Sequence, residues 1–554
     1  MVSEAKGHRF DSCRARHKFK GVSGDTTISR LATITALILG SVLAYGNANS
    51  NQPQSGTRNT LMSSAPNTVA ALDPDALQSQ WLSQYPTDQQ ALFHSPVCGV
   101  AVNKFEYATV GGAGEGTNAS GALMTPTGPA PQCHGPRPIV LYAHGTAIAR
   151  SEDFSAVNDP GNPAYGPATR IALIFAAQGY IVIAPNYAGY DLSRLPYAPY
   201  LNEKQQSQDM LDGLTAGRQM LALINNGTSD SGKLFVTGYS QGGYVSMATL
   251  KALDAEGRPA TAGAPMSGPY ALAAAGDEVF LGHPNFGATV YLSMIANSYA
   301  HLPQNPVNLH QIFNPLYADA PTLFPGTVDR AHFENLVRAG KIPLTAVFQS
   351  PPTGYDNLDA LHEGLLGSIW FDPSNYLIST DFREAYVSDM ETRPDGAAPL
   401  DGSAPDFAKT LPLLPEKPEN LMRQLLRAND LRDYSPAMPL LLCGANRDPE
   451  VFWNQGTGVM SAMLSNKALQ SPALRFATLD LDTRGTPGTF TSQGLTGAQS
   501  MAMQQVAATV QSAFVAHQYH NEVDKLILLL GLEGYHSAEE PYCAVAARAF
   551  FNLY

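Results

Sequence analysis

The sequence predicts an α/β protein with a mostly parallel central sheet and helices on both faces. Two observations support this prediction: short apolar runs recur along the chain, and helical patterns separate several of them. Strands of a parallel sheet are buried on both faces and are therefore continuously apolar. The predicted strands are 138–143, 180–184, 234–237, 260–266, 438–443, 474–481 and 525–530, and the predicted helices include 168–178, 207–224 and 243–255.

The segment 97–125 precedes this series and has a different pattern. Its β-prone runs alternate with glycine-rich turns at 111–116. This pattern predicts antiparallel strands at an edge of the sheet. Cys98 and Cys133 flank the segment, so we expect a disulfide that clamps the hairpin.

Composition limits the classes of function. The chain has 554 residues, of which 44% are hydrophobic and 15% charged, and its formal net charge is −13. Such a chain can bury a large core and does not have the composition of a disordered protein. A nucleic-acid partner is not expected, because neutralising phosphates needs basic clusters. No Cys or His spacing resembles a zinc site, and we expect neither a metal nor a cofactor.

An export signal is predicted at 1–48. Basic residues crowd the first thirty positions, an apolar stretch follows at 31–45, and small residues at Gly46 and Ala48 suit cleavage near Ala48. The alternative is a membrane anchor, but the stretch is shorter than the roughly 20 residues that span a bilayer. A secreted protein is therefore predicted. Residues 49–96 would form a linker and an N-terminal segment, with the flexible linker at 49–70.

A candidate nucleophile lies in the sequence GYSQGG at 238–243. Gly238, Ser240 and Gly242 match the pattern G-x-S-x-G. The pattern alone is weak, since chance would supply roughly 0.3 such matches in this chain. Its surroundings strengthen it: a predicted strand precedes it and a predicted helix follows. This is the setting of a nucleophile elbow, which is typical of the α/β-hydrolase fold.

A serine hydroxyl needs a base, and the base needs an orienting acid. In this fold the acid follows a later strand, and the base comes last in the chain. Asp448 follows the apolar run 438–443 and is the predicted acid. Three other carboxylates compete for this role, and Asp448 could instead cap a helix. The competitors are Asp480, Asp482 and Glu450.

His536 is the predicted base. It follows the apolar run 525–530 and lies in a predicted loop before a last helix at 537–552. His517 and His520 fit an amphipathic, solvated helix better.

Backbone N–H groups are expected to stabilise a developing oxyanion. One should belong to Gln241, directly after the nucleophile. The second should belong to Thr146, in the loop after 138–143, with Gly145 as the alternative.

Cys443 and Cys543 form the second predicted disulfide. Cys443 ends the strand before Asp448, and Cys543 lies on the helix after His536. A bridge would tie the acid to the base, whereas the alternative is two separately buried thiols. The four cysteines allow three pairings.

A cap is predicted over the sheet. Ser240 and Asp448 are 208 residues apart, whereas two strand–helix repeats use only about 60–80 residues. The surplus is assigned to a mainly helical cap or lid at 272–430. The α/β-hydrolase core would then comprise 97–271 and 431–554.

Several motifs resemble those of the secretory lipase family of the lipase-A type and its secreted bacterial relatives. They are YAHGT at 142–146, IVIAPNYAGYDLS at 181–193, GYSQGG at 238–243, GAPMSGPYAL at 263–272 and GYHSAEEPYC at 534–543. The resemblance implies an α/β-hydrolase fold, a helical cap, export, and Ser240, Asp448 and His536 as nucleophile, acid and base. The chain departs from the family pattern at Asn186, where Asp is usual, and at 194–200.

The expected function is that of a secreted serine carboxylic ester hydrolase, a lipase or esterase that forms an acyl-enzyme. Its substrate would be a small-molecule or lipid ester, with the cap as a surface for contact with a lipid interface. A peptidase on the same fold is one alternative, and a non-catalytic binding protein on a hydrolase scaffold is another. The sequence specifies neither the acyl-chain length nor the oligomeric state.

Overall fold

A computed structural model of the chain describes residues 58–326, 330–361, 367–484, 489–520 and 534–554. Three predictions lie outside these residues: the export signal at 1–48, the first part of the linker at 49–57, and the strand at 525–530. Within the described residues, no helix combines the length and apolar character needed to cross a lipid bilayer.

A ten-stranded sheet organises the structure, in the order β1-β2-β3-β5-β4-β6-β7-β10-β11-β12. A separate two-stranded sheet contains β8 and β9. The strands are β1 Asn67–Leu72, β2 Gly99–Val110, β3 Gly116–Thr127, β4 Gly135–Ala143, β5 Ile181–Pro185, β6 Thr228–Tyr239, β7 Ala262–Met266, β8 Phe348–Gln349, β9 Phe371–Asp372, β10 Leu440–Gly444, β11 Phe476–Asp480 and β12 Phe490–Gln493.

The centre of the large sheet is parallel and its edges are antiparallel. The strands β5, β4, β6, β7, β10 and β11 pair in parallel in that spatial order. The pairs β1–β2, β2–β3 and β3–β5 are antiparallel at one edge, and β11–β12 is antiparallel at the other. The predicted sheet and the antiparallel segment near 97–125 are thus confirmed.

Helices lie on both faces of this sheet. Alternate residues of β4 illustrate the two layers: Ile139 and Leu141 belong to one core cluster, and Val140 and Tyr142 to the other. Burial on both faces explains the continuous apolar runs. The helices are α1 Pro74–Gln80, α2 Thr87–Phe93, α3 Tyr165–Ile174, α4 Glu203–Ile224, α5 Gln241–Ala255, α6 Leu272–Phe280, α7 Ala288–Ala300, α8 Leu309–Ile312, α9 Arg330–Arg338, α10 Asp356–Asp359, α11 Thr380–Thr392, α12 Leu421–Ala428, α13 Thr457–Gln470, α14 Gly497–His520 and α15 Tyr535–Phe551.

The predicted linker at 49–70 is wrong for its described part. Residues 67–72 form β1, which pairs with β2, and Leu61 makes a further bridge to Tyr107. The polar composition before residue 67 obscured a short β-prone run, NTVAAL, at the start of the sheet. This run gains its stability from backbone pairing with β2, which composition does not reveal.

The segment predicted as a cap contains helices α6 to α12 and the small β8–β9 sheet. Its apolar side chains share one core cluster with a face of the large sheet. A buried ion pair joins α12 to α6, with Arg423 Nη2 2.6 Å from Asp277 Oδ2. Because both side chains are almost fully buried, removing one partner would leave an uncompensated charge.

The described residues contain two disulfides, and both join the predicted pairs of cysteines. Cys98 bonds to Cys133 and Cys443 bonds to Cys543. The second bridge ties the end of β10 to α15. Disulfides persist in oxidising compartments.

Removing the Cys443–Cys543 bridge should destabilise the protein more than removing the other one. The bridges span 100 and 35 residues respectively, and a longer loop gains more entropy in the unfolded chain. Cys443→Ala/Cys543→Ala should cost about 2–5 kcal/mol in the free energy of unfolding, about 1 kcal/mol more than Cys98→Ala/Cys133→Ala. Urea unfolding of both double variants measures this, and an equal or reversed order contradicts it.

Candidate active site

Ser240 lies at a sharp turn between a strand and a helix. β6 ends at Tyr239 and α5 begins at Gln241. The backbone of Ser240 has φ of 59°, in the left-handed region that non-glycine residues seldom adopt. Such conformations concentrate at functional sites, where the surrounding structure holds them in place. The strand–turn–helix setting predicted for Ser240 is therefore present.

The two motif glycines allow this turn to pack against β4. A Cβ atom on Gly242 would lie 1.9 Å from the carbonyl oxygen of Ala143. One on Gly238 would lie 2.4 Å from the carbonyl oxygen of Gly242 and 2.5 Å from that of Ala143. These distances are far below van der Waals contact, so only glycine fits at either position.

A chain of hydrogen bonds joins Ser240, His536 and Asp448. His536 Nε2 lies 2.8 Å from Ser240 Oγ, and His536 Nδ1 lies 2.6 Å from Asp448 Oδ2. His536 and Asp448 are buried, whereas Ser240 is partly exposed. Residues 296 and 88 positions apart thus meet at one edge of the sheet. This geometry lets the imidazole accept the serine proton while the carboxylate orients the ring.

His536 occupies the first turn of α15 and not the loop before it. The helix begins at Tyr535, two residues earlier than the predicted start at 537. Gly534 precedes it with φ of −127° and ψ of −87°. The prediction that His536 lies in the loop before the last helix is therefore wrong.

The Asp448 carboxylate bonds to two different sets of groups. No helix begins directly after it, so the alternative of a helix N-cap is wrong, while its role as the acid stays a prediction. Its Oδ2 bonds to His536, while its Oδ1 accepts hydrogen bonds from the backbone N–H groups of Glu450 and Val451 at 2.8 and 3.0 Å. These two bonds within the loop fix the carboxylate's orientation toward the imidazole.

The three competing carboxylates have other partners. Asp480 accepts from Asn446, and Asp482 accepts from Arg484 and from the Tyr535 hydroxyl. Glu450 accepts from the Tyr291 hydroxyl at 2.8 Å.

Tyr239 contacts His536 from the other side, a contact that sequence reasoning missed. The two ring centroids are 4.9 Å apart, and the Tyr239 hydroxyl lies 3.1 Å from Nδ1. The hydroxyl also donates to the backbone carbonyl of His536. The only signal in the sequence is an aromatic residue directly before the serine, which is too common to be diagnostic.

Burial and neighbouring charges shift the pKa of His536 in opposite directions. Burial lowers the pKa of the imidazole, but the carboxylates of Asp448 and Glu450 stabilise the charged form and raise the pKa to about 9. The carboxylates therefore shift the loss of the imidazole proton toward alkaline pH.

The residues predicted to supply oxyanion N–H groups lie beside Ser240. Thr146, Ser240 and Gln241 line the same cavity. Within the described residues, neither the Thr146 nor the Gln241 backbone N–H donates to another protein group. The Thr146 hydroxyl is 2.8 Å from that of Tyr200. Gly145, the alternative, is so close that a Cβ on it would lie 3.6 Å from Ser240 Cβ.

The loop that carries Thr146 is ordered by His144. Its Nδ1 lies 2.8 Å from the carbonyl of Gly145 and its Nε2 3.2 Å from that of Asn186, while its ring stacks on Tyr187 at 4.1 Å. Burial lowers the pKa of His144 to about 4. The neutral ring has one N–H and donates to one of these two carbonyls, and its burial and stacking indicate a structural role.

The departure at Asn186 has a physical explanation. Its amide donates to Ser120 Oγ and to Asp153 Oδ1, both at 3.0 Å, while its Oδ1 accepts from the N–H of Phe154. An aspartate could not donate to Asp153, so the amide allows two polar side chains to pack together in a buried place.

An apolar cavity opens above Ser240, and the cap forms most of its walls. Side chains from α6, α7, α11 and α12 line it together with the loop that follows Asp448. Its polar lining is confined to a few groups, among them Thr146, Tyr200 and Glu450. The apolar lining from the cap includes Leu272, Ala275, Val279, Phe280, Leu292, Ile295, Ile312, Ile378, Phe382, Met422 and Leu426. The cavity suits a ligand that is mostly hydrocarbon near the reacting group.

Comparisons with known proteins agree with this fold. Residues 168–280 match the prolyl oligopeptidase family, and no curated protein sequence matches the chain. The rice cell wall degrading esterase LipA from Xanthomonas oryzae is 24% identical with a TM-score of 0.55, over 77% of this chain and 91% of that one. A protein from Legionella pneumophila is 18% identical with a TM-score of 0.53, over 73% and 88%.

Candida antarctica lipase A is 13% identical, over 76% of both chains, with a TM-score of 0.38. That score is too low to support an argument, so membership of the secretory lipase family stays a prediction. The sheet order and the two structural likenesses with higher scores establish the α/β-hydrolase fold for this chain.

The elbow geometry predicts that Gly242→Ala is severely destabilising. The added methyl group would overlap the backbone of Ala143, which cannot move without breaking the pairing of β4 with β6. We expect a loss of about 3 kcal/mol or more in the free energy of unfolding, measured in urea. The control is Gly166→Ala in α3, where a Cβ meets no atom within 4 Å. Gly242→Ala with the unfolding midpoint of the unmodified protein would contradict this account.

Proposed function

We propose that the protein is a serine carboxylic ester hydrolase. The carrying observation is the hydrogen-bonded chain Ser240–His536–Asp448 at the floor of an apolar cavity. In this proposal Ser240 is the nucleophile, His536 the general base and acid, and Asp448 the residue that orients the imidazole.

The reaction would proceed in two halves. Ser240 Oγ attacks the ester carbonyl carbon while His536 Nε2 takes the hydroxyl proton. The N–H groups of Gln241 and Thr146 stabilise the oxyanion. As the tetrahedral intermediate collapses, His536 passes the proton to the leaving alcohol and an acyl-Ser240 ester remains. Water, deprotonated by His536, then attacks this ester, and the carboxylic acid leaves as Ser240 regains its proton.

The cavity supports an ester with an apolar acyl or alcohol part as the substrate. Binding such a part among the cap side chains removes hydrocarbon from water and positions the carbonyl beside Ser240. The LipA neighbour is an esterase that degrades rice cell walls. For this chain that likeness supports ester chemistry, and the cap is where its own substrate preference would be set.

A peptidase is the second candidate, and the family match at 168–280 favours it. The matched part contains Ser240 but neither Asp448 nor His536. It therefore covers the elbow region, which enzymes of different chemistry share on this fold. The mostly apolar cavity favours the ester hydrolase.

Secretion is part of the proposal. The two disulfides support it, because such bonds form and persist in oxidising compartments. The predicted export signal at 1–48 gives the route.

Ser240→Ala should abolish turnover of p-nitrophenyl esters, with kcat falling about 10,000-fold or more. The matched control is Ser246→Ala in α5, a buried serine whose hydroxyl donates to the carbonyl of Gly243. Steady-state kinetics on p-nitrophenyl esters and peptide p-nitroanilides distinguishes the two candidates. Turnover of the peptides without turnover of the esters would reject the ester hydrolase in favour of the peptidase.

Ester hydrolysis should rise with pH and reach half of its limit near the pKa of His536, about 9. The sign follows from the mechanism: only the neutral imidazole accepts the serine proton, and the protonated form dominates below the pKa. Glu450→Gln removes a carboxylate that raises this pKa. The midpoint of kcat/KM against pH should therefore fall by about 0.5–1 unit. A midpoint that stays or rises would show that Glu450 does not act on the base.

A further inference from the structure

Glu539 is a buried carboxyl group that the proposed mechanism does not use. It lies on α15 three residues after His536 and has no exposed surface. The Ser267 hydroxyl donates to its Oε2. Within the described residues its Oε1 has no hydrogen-bond partner. A buried carboxylate oxygen without a donor is costly, so this atom calls for a physical explanation.

The neighbours of Glu539 are mostly acidic. Its carboxyl oxygen, one Asp448 oxygen and one His536 nitrogen all lie within 4.8 Å of one another. The charge of Asp480 raises the pKa of Glu539 further, and a charge on Glu539 would in turn raise the pKa of the Tyr239 and Tyr535 hydroxyls. In the described part of the chain, no Lys or Arg pairs with it. Both imidazole nitrogens bond to Asp448 and Ser240, so a bound cation would have to displace one of these bonds.

Two buried carboxyl groups at this separation do not both ionise. Asp448 accepts hydrogen bonds from two backbone N–H groups and bonds to His536, whereas Glu539 receives one hydroxyl. Burial, and then the charge of Asp448, raise the pKa of Glu539 well above its usual range. The proton shared by the pair therefore belongs on Glu539, and it turns the orphaned Oε1 from an acceptor into a donor.

We propose that Glu539 is a positioning residue for the ester hydrolysis proposed above, a neutral carboxylic acid whose Oε1–H donates to the carboxylate of Asp448. The bond holds Asp448 against His536, in addition to the bonds from the backbone N–H groups of Glu450 and Val451. Because Glu539 is neutral, it does this without adding a further negative charge beside the imidazole. Ser267 completes the arrangement by donating to Oε2.

Two substitutions of similar size separate this role from simple packing. Glu539→Gln keeps a donor for Asp448 and an acceptor for Ser267, whereas Glu539→Leu keeps neither. Glu539→Leu should lower kcat for p-nitrophenyl esters about 10- to 100-fold with little change in KM. Glu539→Gln should recover most of that loss. Equal losses in two variants that unfold at the same temperature would overturn the positioning role.

The pH profile of Glu539→Gln tests whether Glu539 is charged. Replacing a neutral acid by a neutral amide should leave the acid-side midpoint of kcat/KM in place, in contrast to Glu450→Gln. An ionised Glu539 would instead make the midpoint of Glu539→Gln fall by about one unit or more, because a negative charge next to the imidazole would be lost. That result would overturn the proposal.

Infrared spectroscopy tests whether Glu539 carries a proton, and this test does not depend on ester hydrolysis. The spectrum of the full protein at neutral pH should contain a protonated-carboxyl C=O band that Glu539→Gln removes. Absence of this difference band would overturn the neutral state, whatever the enzyme hydrolyses. If the band is present but no ester is hydrolysed, the ester hydrolase is rejected, whereas the protonated state of Glu539 is retained.

Discussion

The hydrogen bond between His536 Nδ1 and Asp448 Oδ2 is the constraint on which the rest of the site depends. Its two residues come from a C-terminal helix and from the loop after β10, and the bond is 2.6 Å long. Only while α15 stays docked on the sheet can Nε2 reach Ser240. The Cys443–Cys543 bridge ties the end of β10 to α15. The Ser267–Glu539 hydrogen bond joins the loop after β7 to the same helix.

Around that bond, burial and the nearby negative charges shift the pKa of His536 in opposite directions. An isolated buried imidazole would lose its proton easily, but the carboxylates of Asp448 and Glu450 stabilise its protonated form. This acidic environment favours the imidazolium that forms when the serine proton is taken up. Its cost is a smaller fraction of free base at neutral pH. A neutral Glu539 limits that cost, since it contributes a hydrogen bond without a further charge.

Much of the fold could be predicted from the sequence, because its strongest signals are local. Continuous apolar runs mark strands buried on both faces, and the glycines around Ser240 mark a turn that no side chain can enter. The order of serine, acid and histidine along the chain then pointed to residues that the structure brings together. Their catalytic roles stay predictions until activity is measured.

What the sequence did not predict depends on contacts between distant residues. β1 is weak by itself and forms because β2 offers it backbone partners. Nothing near Tyr239 or Glu539 in the sequence marks them, because each comes close to His536 or Asp448 only when α15 docks on the sheet. The start of α15 at Tyr535 was missed because Gly534 resembles a loop residue, although here it marks the entry to the helix.

The cap connects this chemistry to a substrate. It shares a hydrophobic core with the sheet and encloses an apolar cavity whose floor carries Ser240. Most of the cap residues serve packing, while those that face the cavity would set the preferred ester.

The most direct measurement of the central claim is to trap the acyl-enzyme. The protein is mixed with a p-nitrophenyl ester, quenched in acid within the first turnover, digested and analysed by mass spectrometry. We predict that the peptide containing Ser240 gains the mass of the acyl group in proportion to the p-nitrophenol released. Release of p-nitrophenol with no acylated peptide, or with the acyl group on another residue, would contradict the account.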